Sequence, residues 1–158
     1  MSQVFYNQDQ KYQAQTSIGF FDLESDFFNG PYNGPLNVDT RFNPDTSLYD
    51  FVTEHSMHNI QILTSGTYSL AVSIGMAFIS SALDPINFLI LKGTSFETAL
   101  PLTNISPGVI TSDDITIGMS VSFFAAANDI LYITLNTTST VQFVFLEGGS
   151  AISLQKIY

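Results

Sequence analysis

The stretch Glu54-His55-Ser56-Met57-His58 gathers the chain's two histidines beside a carboxylate. On a helix, a spacing of three would bring both imidazoles to one side, where a metal ion could bind them. The stretch leads instead into a strand and has no second ligand cluster. Two surface or interface histidines are therefore expected, and no metal site. Asp113-Asp114 offers oxygens to calcium, which takes several at once. An aspartate turn bonding its own backbone is the commoner role of such a pair.

Catalytic groupings are missing at the level of motifs. Both histidines sit in one short loop and no Gly-x-Ser-x-Gly elbow accompanies them, so a serine triad is not indicated. No glycine loop suits a phosphate, and no carboxylate spacing marks a glycosidase. The chain has no cysteine, which removes disulfides, thiolate metal sites and a cysteine nucleophile together. The expectation is a protein that is not an enzyme and carries no cofactor. Asn136-Thr137-Thr138 and Asn104-Ile105-Ser106 match glycosylation sequons. The opening Met-Ser-Gln-Val-Phe-Tyr-Asn-Gln is polar and shows no apolar leader, so both sequons read as chance.

Charge narrows the partners. Fourteen acidic side chains face only Lys11, Lys92, Lys156 and Arg41, for a net charge of −10. Phosphate backbones need clustered cations, so nucleic acid is excluded, and anionic membranes are disfavoured for the same reason. The most apolar run, Ser69 to Leu83, is shorter than the roughly 20 residues of a membrane helix, so no membrane insertion is expected. Charged residues make up 11% of the chain, against about 25% in ordinary domains. The surface must then be covered by Ser, Thr, Asn, Gln and Gly, or by neighbouring subunits.

The elements that position these residues fall into two unlike parts. The first 55 residues hold eight of the fourteen acidic residues and eleven of the twenty-one aromatics, in irregular order, with Asn-Gly-Pro at 29–31 and again at 33–35. Residues 1–48 are read as an extended arm or a set of loops. Its rings Phe20, Phe21, Phe27, Phe28 and Tyr32 either dock on a partner or complete the domain's own core. Residues 49–158 read as one all-β domain, with strands expected at 59–63, 67–74, 86–91, 115–117, 120–125, 130–136, 140–145 and 152–157. Regularly spaced short strands of this kind indicate a sandwich or barrel. Strands apolar on both faces, such as Ile130 to Asn136, need a second cover. A further copy of the chain or the arm would supply it, and Tyr68, Leu70, Tyr132, Phe143 and Phe145 are the subunit-interface candidates. Within residues 67–73, the alternate positions Ser69, Ala71 and Ser73 form a small, neutral face suited to close approach.

Three segments carry a family resemblance: Ile-Gln-Ile-Leu-Thr-Ser-Gly-Thr-Tyr-Ser-Leu-Ala-Val-Ser-Ile-Gly from residue 60, Ser-Val-Ser-Phe-Phe-Ala-Ala-Ala-Asn-Asp-Ile-Leu-Tyr-Ile-Thr-Leu-Asn from residue 120, and the closing Gly-Gly-Ser-Ala-Ile-Ser-Leu-Gln-Lys-Ile-Tyr. In their order and distance from the C-terminus, residues 49–158 resemble the tumour-necrosis-factor-like jelly roll in its complement globular-head branch. Asn128-Asp129 stands where Gly-Asp is usual, which a left-handed asparagine tolerates.

The resemblance implies a jelly-roll protomer in a tight homotrimer that binds rather than catalyses. It includes virus and bacteriophage spikes and head fibres. The expectation is therefore a structural particle protein (spike, head fibre or capsid decoration) assembled in the host cytoplasm. Its arm would hold it to other coat proteins of the virion. The alternative is a receptor- or carbohydrate-binding module of a phage tail or bacterial surface, using loops 92–98, 104–114 and 136–140 for host attachment. The lack of Trp, the best sugar-stacking residue, counts against that reading.

Overall fold

Alternating β-branched and aromatic runs, interrupted by turn formers, become strands throughout the chain. The computed structural model describes residues 18–23, 27–29, 32–40, 45–78, 86–108, 114–137, 142–145 and 150–158. Its strands are β1 (Ile18–Leu23), β2 (Phe27–Asn29), β3 (Tyr32–Pro35), β4 (Val38–Thr40), β5 (Tyr49–Glu54), β6 (Met57–Ile62) and β7 (Gly66–Phe78). They continue with β8 (Ile86–Gly93), β9 (Leu100–Gly108), β10 (Asp114–Ala125), β11 (Ile130–Thr137), β12 (Gln142–Phe145) and β13 (Ala151–Lys156).

Two antiparallel sheets form a jelly-roll sandwich. In the first, β7 pairs along one edge with β10, from Ala125↔Gly66 to Asp114↔Ala77. Its other edge takes β13 and then β12. β1 and β2 lie outside those two, and β4 flanks β1. The second sheet runs β5-β6-β11-β8-β9, with β3 also on β11. The expected all-β jelly-roll fold is what the chain adopts.

Period two in β7 sets the sandwich. Tyr68, Leu70, Val72 and Ile74 point inward and are buried. They meet Ile60, Ile62, Phe88, Ile90, Leu131, Ile133 and Leu135 from the second sheet in one core. Polar tips inside it are satisfied: the Tyr68 hydroxyl donates to the Thr64 carbonyl at 2.6 Å. The Tyr49 hydroxyl reaches across the sandwich to the Leu154 carbonyl at 3.1 Å. The Ala126–Asp129 turn uses Asn128 at φ 74°, the left-handed conformation that its asparagine permits. Lys92 pairs with Asp129 at 3.2 Å, and the same Asp129 oxygen accepts the Ala126 N–H at 2.9 Å.

Several expectations change. Residues 18–40 supply β1 to β4 to both sheets, so the sheets do not respect a boundary at residue 48. A strand there needs only three to six residues when it is added to an existing edge, too short for a period to show in sequence. Residues 100–108, read partly as loop, form β9. Pro101 and Pro107 fit there because β9 is the last strand of its sheet, where a missing N–H need not face a partner. Register shifts in its pairing with β8 match that irregularity. β10 is one strand of 12 residues where two were expected. β7 continues to Phe78, beyond the end expected at residue 74.

Gly66 is where the C-terminal residues close over β7. The Thr67 N–H donates to the Tyr158 carbonyl at 3.1 Å, and the Ile157 N–H donates to the Thr67 carbonyl at 2.7 Å. A β-carbon at Gly66 would overlap the Tyr158 carbonyl and come within 2.5 Å of Lys156 Cε. Gly66→Ala should therefore release residues 157–158 and cost about 1–3 kcal/mol in urea denaturation. Hydrogen exchange at Thr67 should rise in the same variant; an unchanged rate would show that the closure tolerates the methyl group.

Candidate functional site

Two surfaces stand out, one on each sheet. On the first sheet, the outward positions of β7 are Thr67, Ser69, Ala71 and Ser73. Register sets Ser120 and Ser122 of β10 opposite Ala71 and Ser69, and Ala151 and Ser153 of β13 opposite Ser73 and Ala71. No outward residue of these three strands between positions 67 and 73 of β7 carries a charge, and none is fully buried. At one end of the face the side chains become large. Phe124 lies opposite Thr67 and is 62% exposed, with Ile157 and Tyr158 exposed on the other side of the same residue. Small side chains let a second backbone approach, and exposed apolar ones gain from being covered.

The second surface is the tip of the β5–β6 hairpin. Glu54 pairs with Met57, so His55 and Ser56 are the whole loop. Their φ values of 53° and 62° give the paired left-handed conformation of a tight hairpin turn, where Asn-Gly is usual. The segment after β8 folds against this tip because Gly93 lets it pass closely. A β-carbon on Gly93 would lie 2.7 Å from Ala99 Cα.

That approach sets the short 3₁₀ turn Phe96–Thr98 beside Glu54. Ser95 at its N-cap makes no side-chain cap bond. Glu54 fills that role from the neighbouring hairpin, its Oε1 accepting the Phe96 N–H at 2.9 Å. The other Glu54 oxygen accepts the Tyr132 hydroxyl. Phe96 packs edge-on against His55 at 4.9 Å and against Tyr132 at 5.5 Å. His55 Nε2 and Glu97 Oε1 lie 2.8 Å apart.

The titration of the cluster follows from these contacts. Glu97 is held below the usual carboxylate range by a backbone N–H and by His55. Tyr132 is pushed well above the ordinary phenol value, first by burial and then by its bond to Glu54. Tyr49 is raised in the same direction, first by burial and then by Tyr68.

The sequence candidates land in different places. Tyr68, Leu70 and Tyr132, expected at a subunit interface, are each enclosed by the chain itself. The first two lie in the sandwich core. Tyr132 is on the outward side of β11, where Phe96 covers it, so that side of the strand needs no second copy there. Phe143 and Phe145 are on β12 next to the end of β7, and their side chains lie outside the described residues.

The same holds for the side chains of Phe20 and Phe21 on β1 and of Phe27 and Phe28 on β2. Tyr32 packs against the core and donates to the Pro35 carbonyl at 2.5 Å. Asp113 lies outside the described residues, and Asp114 opens β10. Loop 92–98 carries Phe96 and Glu97. Residues 104–108 are strand, and most of 136–140 lies outside the described residues.

His55 and His58 part company. His58 donates its N–H to Asn37 Oδ1 at 2.7 Å and sets its ring 6.0 Å from Phe51. Glu97 and Tyr132 were missed as partners of Glu54 and His55. Only the pairing of β6 with β11 and the chain reversal at Gly93 bring these distant residues together.

No family model and no curated protein matches the sequence. Solved structures do match the fold. A structure of Eiger TNF from S. frugiperda has a TM-score of 0.63 at 13% identity, covering 89% of this chain and 92% of its own. Murine APRIL at pH 8.0 gives 0.64 at 7% identity, with 89% and 99% covered. At pH 5.0 it gives 0.63 at 9%, with 89% and 98% covered. The chain has the TNF-like jelly-roll fold. The matched 89% is more than residues 49–158 alone amount to, so the likeness takes in part of the N-terminal segment as well.

Tyr68, raised by burial like Tyr49 and Tyr132, joins them in staying protonated in the fold, while all three ionise in the unfolded chain near pH 10. Their contribution is complete below that value and is lost as pH rises above it, by up to about 1.4 kcal/mol per pH unit for each tyrosine. Urea midpoints should thus fall between about pH 9.5 and 11. Tyr132→Phe should begin about 1–3 kcal/mol lower for the lost bond and then fall less steeply. A flat profile in the parent would mean that these hydroxyls reach water.

Proposed function

We propose that this chain is a non-enzymatic binding protein that works as a homotrimer, its subunits meeting at the outward face of the first sheet. The observation that carries this reading is the uncharged face running across β10, β7 and β13 to Phe124, Ile157 and Tyr158. A net charge of −10 would ordinarily be spread over the outside of a small domain, yet this face has none of it. Leaving a sheet face both neutral and small-chained favours a neighbour's approach over hydration. The trimer itself is what the resemblance to TNF-like jelly rolls implies.

Within that reading, the role favoured is a structural protein of a virus or bacteriophage particle. A cysteine-free, cation-poor chain with an aromatic N-terminal segment suits assembly in a host cytoplasm and attachment to other coat proteins. The likeness to a TNF supports a second reading, a module that binds a receptor or glycan from a phage tail, a bacterial surface or the extracellular space. A map of the neighbouring genes separates the two, since coat and portal genes beside this one favour the particle and a secretion locus favours the module.

The assembly is tested by mass in solution. The parent should sediment at three times its 17.3 kDa chain mass. Ala71→Arg puts an unpaired charge at the centre of the face and should cost about 3–5 kcal/mol of association, giving a folded monomer. A parent that is already monomeric, or an Ala71→Arg protein that remains trimeric, would remove this surface from the assembly.

A further inference from the structure

We infer that Glu54, His55 and Glu97 form a binding site for a divalent transition cation of the zinc type. One imidazole nitrogen and two carboxylates, brought from segments 42 residues apart, place their ligand atoms within 4.8 Å of one another. Tetrahedral zinc needs donors about 3.3 Å apart. His55 and Glu97 at 2.8 Å must open slightly and close on the Glu54 carboxylate, movements that their own exposed side chains make freely. Nitrogen beside oxygen selects zinc-like ions over calcium or magnesium, which prefer oxygen alone.

The surrounding groups are arranged as a metal site requires. Tyr132 and the Phe96 N–H hold the Glu54 carboxylate in place, and each carboxylate oxygen keeps a lone pair for an ion. The Phe96 ring limits how His55 can turn.

Asn59 gives an observation independent of the three ligands. It is fully buried, and its Nδ2 donates to the Met57 carbonyl at 2.9 Å and the Glu54 carbonyl at 3.5 Å. Those bonds fix the amide's orientation and leave Oδ1 enclosed without a donor. Strand register puts Asn59 on the same outward side of the sheet as Glu54 and beside Tyr132. A buried acceptor without a donor costs stability. A cation held at the neighbouring anionic cluster would offset that cost by acting on the carbonyl dipole through space. Three protein ligands fill only part of zinc's coordination shell, and solvent would complete it at the exposed hairpin tip.

Calorimetric titration of the full chain with Zn2+ alone, after treatment with a chelator, tests the site. One Zn2+ per chain should bind, Ca2+ and Mg2+ should not compete, and the melting temperature should rise with added Zn2+. Glu97→Gln and His55→Asn should each weaken Zn2+ binding at least about tenfold. Asparagine adopts positive φ more readily than histidine, so His55→Asn should melt no lower than the parent in chelator while losing its response to zinc. That separates a lost ligand from a lost hairpin. Equal Zn2+ affinity in the parent and both variants, no saturable binding, or equal affinity for Ca2+ would each overturn the assignment.

Discussion

Everything in the sandwich is referred to the alternation of β7. Both of its edges are paired, to β10 on one side and to β12 and β13 on the other, so it cannot shift without breaking two ladders. Between positions 67 and 74 its even-numbered residues build the core and its odd-numbered ones build the neutral face. A slip of one residue would turn Tyr68, Leu70, Val72 and Ile74 to the outside and Thr67, Ser69, Ala71 and Ser73 to the inside. Core and outer face are thus one constraint seen from two sides.

That constraint was legible from residues alone. Large and small side chains alternating with a period of two over eight residues fit a strand and do not fit a helix, whose faces repeat every three to four. The same holds for β13, where Ile152 and Leu154 alternate with Ala151, Ser153 and Gln155, whereas β11 is legible as a β-branched and aromatic run apolar on both faces. The N-terminal strands were illegible for a physical reason. Asn33-Gly34-Pro35 reads as a turn by local preference, yet it lies along β11, which supplies Thr134, Leu135 and Asn136 as partners. A completed sheet edge overrides local propensity, and no sequence window contains both strands. β9 was hidden by its prolines, which mark an edge strand as readily as a loop.

The candidate sites divide along the same line. The neutral face belongs to consecutive alternate positions of one strand and could be read directly. The hairpin cluster is assembled from three distant places. Glu54 and His55 lie on a tip, Tyr132 is two strands away by pairing, and Glu97 arrives because Gly93 admits the chain at close range. Local spacing suggested His55 with His58, which point to different neighbours. Long-range register decided the partners, and Glu97 carried no signal that would have singled it out among fourteen acidic residues.

The placement of charge gives the two surfaces different physics. The outward side of the first sheet is uncharged between positions 67 and 73 of β7 and along the stretches of β10 and β13 that pair with them. The outward side of the second carries Glu54 beside the buried hydroxyl of Tyr132, with Glu97 and His55 open to water. Because the sheets pack face to face, these two outward sides look away from each other. Covering the neutral face with another subunit therefore leaves the hairpin tip exposed. Binding at the tip draws on side chains that contribute nothing to the inter-sheet core. The proposed assembly and the proposed ligand binding would then be separable, linked only through the register that both surfaces inherit from the central strands.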